Sequence, residues 1–141
     1  MEDVVETLTR GNVTEVKVLL ASVAVALGVY QLVLIAVGYG KLRPPFLAAR
    51  AASWAHRASG DAIVVLLVLV TVMCVSYFGV EDDAAFHAIV ATALLTVLAL
   101  KIAVLRWWHA ASRFLPVLGT TVFSLLALTW LSSAGLFLAD A

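Results

Sequence analysis

Four long apolar runs separated by short polar breaks set the pattern of this chain. Val18 to Gly40 carries no charge, with Tyr30, Gln31 and Tyr39 as its polar or amphipathic members. A second uncharged run extends from Ala62 to Val80, a third stretch runs from Ala84 to about Trp108, and a fourth from about Leu115 to Leu138. A helix rises about 1.5 Å per residue, so about 20 apolar residues cross a hydrocarbon layer near 30 Å thick. Each run suffices, and the predicted helices cover about 18–40, 56–80, 84–108 and 115–138. Helix two begins ahead of its uncharged core, because no proline follows Pro44-Pro45 between Phe46 and Gly60, and it therefore projects beyond the bilayer. Asp82 or Asp83 is suited to capping helix three. Pro116 falls in the first turn of helix four, where a missing amide hydrogen does least harm. The connections Glu81 to Asp83 and His109 to Phe114 are short enough to force antiparallel neighbours. The fold class that follows is all-α: an integral membrane four-helix up-down bundle forming a single membrane domain over 1–141. Ala24 with Gly28, Thr92 with Thr96, and Thr120 with Ser124 offer small-residue pairs for helix contacts in lipid.

Composition agrees with lipid as the solvent, since 64% of the residues are hydrophobic and 13% charged. The formal net charge is zero, and its distribution says more than its sum. Lys41, Arg43, Arg50, Arg57, Lys101, Arg106 and Arg113 fall on one side of the threaded bundle, against the single acid Asp61. Glu2, Asp3, Glu6, Glu15, Glu81, Asp82, Asp83 and Asp140 fall on the other, against Arg10 and Lys17. Basic residues gather on the cytoplasmic side, so both termini are expected outside, in the cell membrane of a prokaryote. Trp54, Trp107 and Trp108 fit the cytoplasmic aromatic belt. The acidic Met-Glu-Asp start and the length of the first apolar run do not fit a signal peptide. Asn12-Val13-Thr14 has the glycosylation pattern, close to the membrane. Cys74 is the single cysteine, so neither a disulfide framework nor a cysteine zinc site can be built within one chain. No soluble basic module exists to bind nucleic acid.

Chemistry in such a bundle would come from its few coordinating side chains. A b-type haem between membrane helices takes imidazole or thioether ligands from facing helices at one depth. His56 and His109 lie at the cytoplasmic ends of helices two and three, and Met73 and His87 lie toward the outer side. Two ligand pairs are therefore conceivable, His56 with His109 and Met73 with His87. Gly60 and Ala91 each follow a histidine by one turn and would leave room for a flat macrocycle. The plainer alternative is that histidines at helix ends reach headgroups and water, while methionine is an ordinary apolar residue. Antiparallel threading separates His56 from His87 by most of the bilayer, so each would need a second ligand elsewhere. Asp61 and Lys101 both lie toward the cytoplasmic end, where they either form an intramembrane ion pair or, for Lys101, snorkel to the headgroups. Helices one, three and four hold no further buried acid for a proton or ion pathway. Phosphate-loop, zinc-protease and nucleophile-elbow motifs are absent. Ser132 and Ser133 have no histidine near them in sequence, which leaves hydrolysis without support.

His56-Arg57-Ala58-Ser59-Gly60, Phe86-His87 through Lys101 to Arg106, Leu115-Pro116-Val117 with Gly119, and Leu128-Thr129-Trp130-Leu131-Ser132-Ser133 occur in an order that resembles a family of small four-helix bacterial membrane proteins of unknown function. The likeness covers about residues 56 to 137. It implies a histidine just before the helix-two cysteine, a position held here by Met73. If the family binds haem there, this substitution either converts a bis-histidine site to histidine and methionine or abolishes it. A more distant likeness, in the histidines at the ends of helices two and three, is to membrane b-type cytochromes with a four-helix core, and a shared fold does not imply a shared function.

Two functions remain open from the sequence. One is a haem b protein passing electrons within or across the membrane, using His56 and His87. The other is a non-catalytic membrane accessory subunit whose basic face binds anionic lipid or a membrane partner protein, including a second copy of itself.

Overall fold

The computed structural model describes residues 6–7, 9–42, 45, 48–78 and 85–139. Among these residues the structure is helical, without strands. Four helices are long and apolar enough to cross a membrane: Val13–Gly38, Arg50–Tyr77, Ala85–Arg106 and His109–Ala139. The chain gathers into two compact units, Met1–Gly79 and Val80–Ala141, each built around one helical hairpin. The expected Asp82 or Asp83 cap and the connection Glu81 to Asp83 lie outside the described residues.

In the first hairpin, α1 spans Val13–Gly38 and α2 spans Ala49–Met73, continued by a π-helical turn over Cys74–Phe78. α1 starts five residues ahead of the uncharged run and takes in Glu15 and Lys17. Its end is set by Gly40, whose φ of 71° places it in the left-handed region that a side chain disfavours. The Lys41 amide then donates to the Ala36 carbonyl at 2.9 Å, and the Gly40 amide to the Val37 carbonyl at 2.9 Å. This pair of bonds satisfies carbonyls the helix would leave bare, a Schellman ending. Leu34 and Val37 pack with Ala52 and Ala55 near the connection, while Val13, Val16 and Leu20 pack with Met73 at the open end. These two clusters fix α1 and α2 as antiparallel neighbours.

In the second hairpin, α3 spans Ala85–Arg106 and a 3-10 turn over His109–Phe114 leads into α4, Leu115–Trp130. A π-helical turn over Leu131–Gly135 and a last α-turn, α5, Leu136–Ala139, prolong α4. Pro116 stands in the first turn of α4. Val90, Leu94, Leu98 and Val104 form the buried stripe of α3, and Val122 and Leu126 that of α4. The 3.6-residue spacing of these positions places them on one face of each helix.

Hydroxyl groups in the apolar runs are satisfied locally. Thr71 donates to the Leu67 carbonyl, Thr92 to Ala88, Thr96 to Thr92, Thr121 to Val117 and Thr129 to Leu125, all between 2.7 and 2.9 Å. Lipid offers no water to complete such groups, so bonding back one turn makes a threonine tolerable there. Of the three small-residue pairs, Ala24 and Gly28 are buried, whereas Thr92, Thr96, Thr120 and Ser124 are exposed.

Candidate functional site

Among the described residues, each hairpin carries a polar clasp between its two helices. In the first, Gln31 of α1 reaches α2. Its amide Nε2 donates to the His56 carbonyl at 3.1 Å and lies 3.4 Å from the Ser59 hydroxyl oxygen. Ser59 is only 7% exposed and is the buried polar residue of the described core. Its hydroxyl is 2.8 Å from the Ala55 carbonyl and 3.2 Å from that of His56, so its proton stays within α2 and its oxygen can accept from Gln31. A Cβ on Gly60 would come within 3.0 Å of the Gln31 Nε2. The serine and glycine after His56 thus admit a glutamine amide from the facing helix. The space expected at Gly60 for a macrocycle is filled by this side chain, because a missing Cβ in a helix contact is taken up by the nearest long side chain.

In the second hairpin, His87 near the start of α3 meets Ser132 in the π-turn that follows α4, with Nδ1 3.0 Å from the serine oxygen. The Ser132 oxygen is also 3.0 Å from the Thr129 carbonyl, and Ser133 donates to the same carbonyl at 3.1 Å. A hydroxyl has one proton and a carbonyl only accepts, so both contacts are satisfied when Ser132 donates to Thr129 and accepts from His87. In that arrangement His87 donates from Nδ1, and a neutral ring then has its lone pair on Nε2. π-turns inside α-helices are frequent at functional positions, and this one holds the serine.

The remaining sequence candidates are placed separately. His56 is half-buried, and its backbone carbonyl, rather than its ring, enters the clasp. Met73 is buried in the apolar cluster with Val13, about 25 Å along α2 from His56 and about 100° round the helix. His109 is exposed and opens the 3-10 turn after the exposed Trp107 and Trp108. His87 lies near the start of α3 and His109 beyond its end, with about 28 Å of helix rise between His87 and Arg106. Within either hairpin, therefore, no two of the four coordinating residues share a depth. Asp61 is exposed on the first hairpin, and Lys101 is half-buried on the second. Among the described residues, no group of three or more His, Cys, Asp and Glu is placed to hold a metal ion.

Gln31 and the His87–Ser132 pair are what the linear reading passed over. The signal for both was present: in an antiparallel hairpin, residues equidistant from the turn face each other. Gln31 and Ser59 are nearly so about the first connection, and His87 and Ser132 about the second.

Two hairpins of apolar helices long enough to span a membrane, each fastened by an interhelical hydrogen bond, define the class as a four-helix membrane protein. The model of a family of unknown function, DUF6529, matches residues 3–141, and the chain belongs to that family. The match takes in the N-terminal third, beyond the stretch from 56 to 137 on which the sequence resemblance stood. No curated protein and no solved structure matches the chain.

Proposed function

We propose that this chain is a non-catalytic, multi-pass membrane protein that works through its helix faces, as an accessory subunit holding a membrane partner or a second copy of itself. The observation that carries this reading is how little of each apolar helix its hairpin covers. Leu19, Val29 and Val33 on α1, Val65, Val68 and Val72 on α2, Ile89 and Leu105 on α3, and Val117, Leu128 and Leu131 along the fourth span are all exposed. Lipid takes such faces readily, and so does another helix, since packing between helices in a bilayer needs only complementary shape and a few polar contacts. Gln31 and the His87–Ser132 pair fasten facing helices together. Native mass spectrometry from mild detergent tests the reading. A dimer or a stoichiometric complex is expected, and a strictly monomeric particle across detergents and concentrations would overturn it.

One observation favours a second reading, a haem b site at His87. A histidine that ligates iron through Nε2 ordinarily gives its other N–H to an oxygen acceptor, which fixes the ring and raises its basicity. The Nδ1–H to Ser132 bond supplies that support. The second ligand would come from outside α3 and α4, and electron transfer in the membrane would follow. A visible absorbance band that shifts on reduction and vanishes in His87→Ala is expected on this reading, and colourless protein purified with ample haem supply would exclude it.

A further inference from the structure

The N-terminal half of α2 turns one face away from α1. Ala52, Ser59 and Ile63 are buried, and the sector opposite them holds Arg50, Trp54, Arg57 and Asp61, all exposed. At about 100° per residue these four fall within about 60° of one another. Trp54 is 73% exposed, the tryptophan expected at a headgroup boundary. Further along α2 the same sector becomes purely apolar, with Val65, Val68 and Val72 exposed at 58%, 53% and 43%. One continuous face thus changes from cationic and aromatic to aliphatic at Asp61.

We infer that this face of α2 is a binding site for an anionic phospholipid, with the phosphate at Arg50 and Arg57 and an acyl chain along Val65, Val68 and Val72. The dimensions match. Arg57 to Val72 spans about 22 Å of helix, the depth of one leaflet with its headgroup. The two arginines are about 10 Å apart along the axis and flank Trp54, so a phosphate between them meets a guanidinium from either side, and guanidinium binds phosphate in a two-pronged manner. Asp61 sets the level of the phosphate. It lies about 6 Å deeper than Arg57, on the acyl side of the phosphate. The ammonium of a choline or ethanolamine headgroup lies on the water side, out of its reach, so Asp61 gives zwitterionic lipids no compensating contact. It repels the phosphate instead and holds it up at the arginines. Selection comes from Arg50 and Arg57, whose two positive charges favour a headgroup with uncompensated negative charge, such as phosphatidylglycerol.

This inference rests on the chain being a membrane protein that works through its helix faces, and one measurement separates the two. Native mass spectrometry of the full chain, titrated with phosphatidylglycerol or phosphatidylcholine, reads protein stoichiometry from the particle mass and lipid binding from the adducts. Wild-type protein should retain phosphatidylglycerol in preference to phosphatidylcholine. With each surface cation contributing about fivefold, the double variant Arg50→Gln, Arg57→Gln should lose roughly 25-fold in phosphatidylglycerol affinity. Asp61→Asn should move the other way, by a few-fold. The double variant Arg106→Gln, Arg113→Gln removes the same charge from the second hairpin and should leave the preference within about threefold. Helical circular dichroism confirms that each variant is folded. An equal loss in both double variants, or no gain in Asp61→Asn, would overturn the site in favour of diffuse attraction. A monomeric particle that still selects phosphatidylglycerol through Arg50 and Arg57 would retain the lipid site while removing the subunit reading.

Discussion

The two hairpins solve one problem at opposite ends. The first joins its helices through a long connection, from Tyr39 to Ala48, and places its polar clasp close to it, where Gln31 bonds the His56 carbonyl. At its open end Val13 and Met73 pack together. The second joins its helices through the compact 3-10 turn over His109–Phe114 and places its clasp at the far end, where His87 meets Ser132. Hydrocarbon provides no hydrophobic drive to pair helices, so register has to come from covalent connection, packing and hydrogen bonds. A tight turn fixes register beside itself and leaves the distant end to be fastened. The first pair of helices is joined by the longer stretch from Tyr39 to Ala48. There the Gln31 bond to the His56 carbonyl fixes register beside the connection.

The largest test of this contrast is in the core. Leu34 and Leu94 are each 2% exposed, one in each hairpin, and replacing either by Ala should cost about 2–5 kcal/mol. In hydrogen exchange, Leu34→Ala should loosen α1 and α2 and spare α3 and α4, with Leu94→Ala doing the reverse. Loss of protection across the whole chain in either variant would mean that the hairpins open as one and that the comparison is mistaken. Next comes Gln31→Ala, expected to cost about 1 kcal/mol, as interhelical hydrogen bonds in membranes do. Its added exchange should concentrate at the connection end of the hairpin, and an even spread along α1 would remove the register role. Ser132→Ala should be the mildest, about 0.5 kcal/mol, with a distinct spectroscopic signature. Nitrogen NMR should show His87 as the Nδ1–H tautomer in the wild type and a mixture in the variant. An unchanged tautomer would break the proton assignment.

The spans were legible because membrane thickness leaves few choices of helix length, and an uncharged run of that length has little else to become. Helix ends were read less well. α1 takes in Glu15 and Lys17 because its helical bonds do not depend on apolarity, while its finish at Gly40 rests on a backbone angle that hydropathy does not see. The clasps escaped for a related reason. Gln31 stood out as an amide in an uncharged run, yet its partner is a backbone carbonyl, which every residue possesses. Ser132 has no histidine near it in sequence, although the hairpin brings one from 45 residues away. Gly60 was noticed for its missing side chain, and only the facing helix reveals what uses the space. The π-turns leave no periodic trace, because five residues are too few to establish a spacing.

Those π-turns have a consequence for how this protein can change over generations. A π-turn closes its hydrogen-bonded ring with one residue more than an α-turn, so Cys74–Phe78 and Leu131–Gly135 each accommodate a residue that a regular helix of the same rise would not. Losing one residue within Leu131–Gly135 would restore a regular helix and swing Leu136–Ala139 round by about 100°, with α3 and most of α4 left in place. Relatives that differ in length by a single residue near these positions can therefore keep the same hairpins while presenting a different set of side chains at one membrane surface.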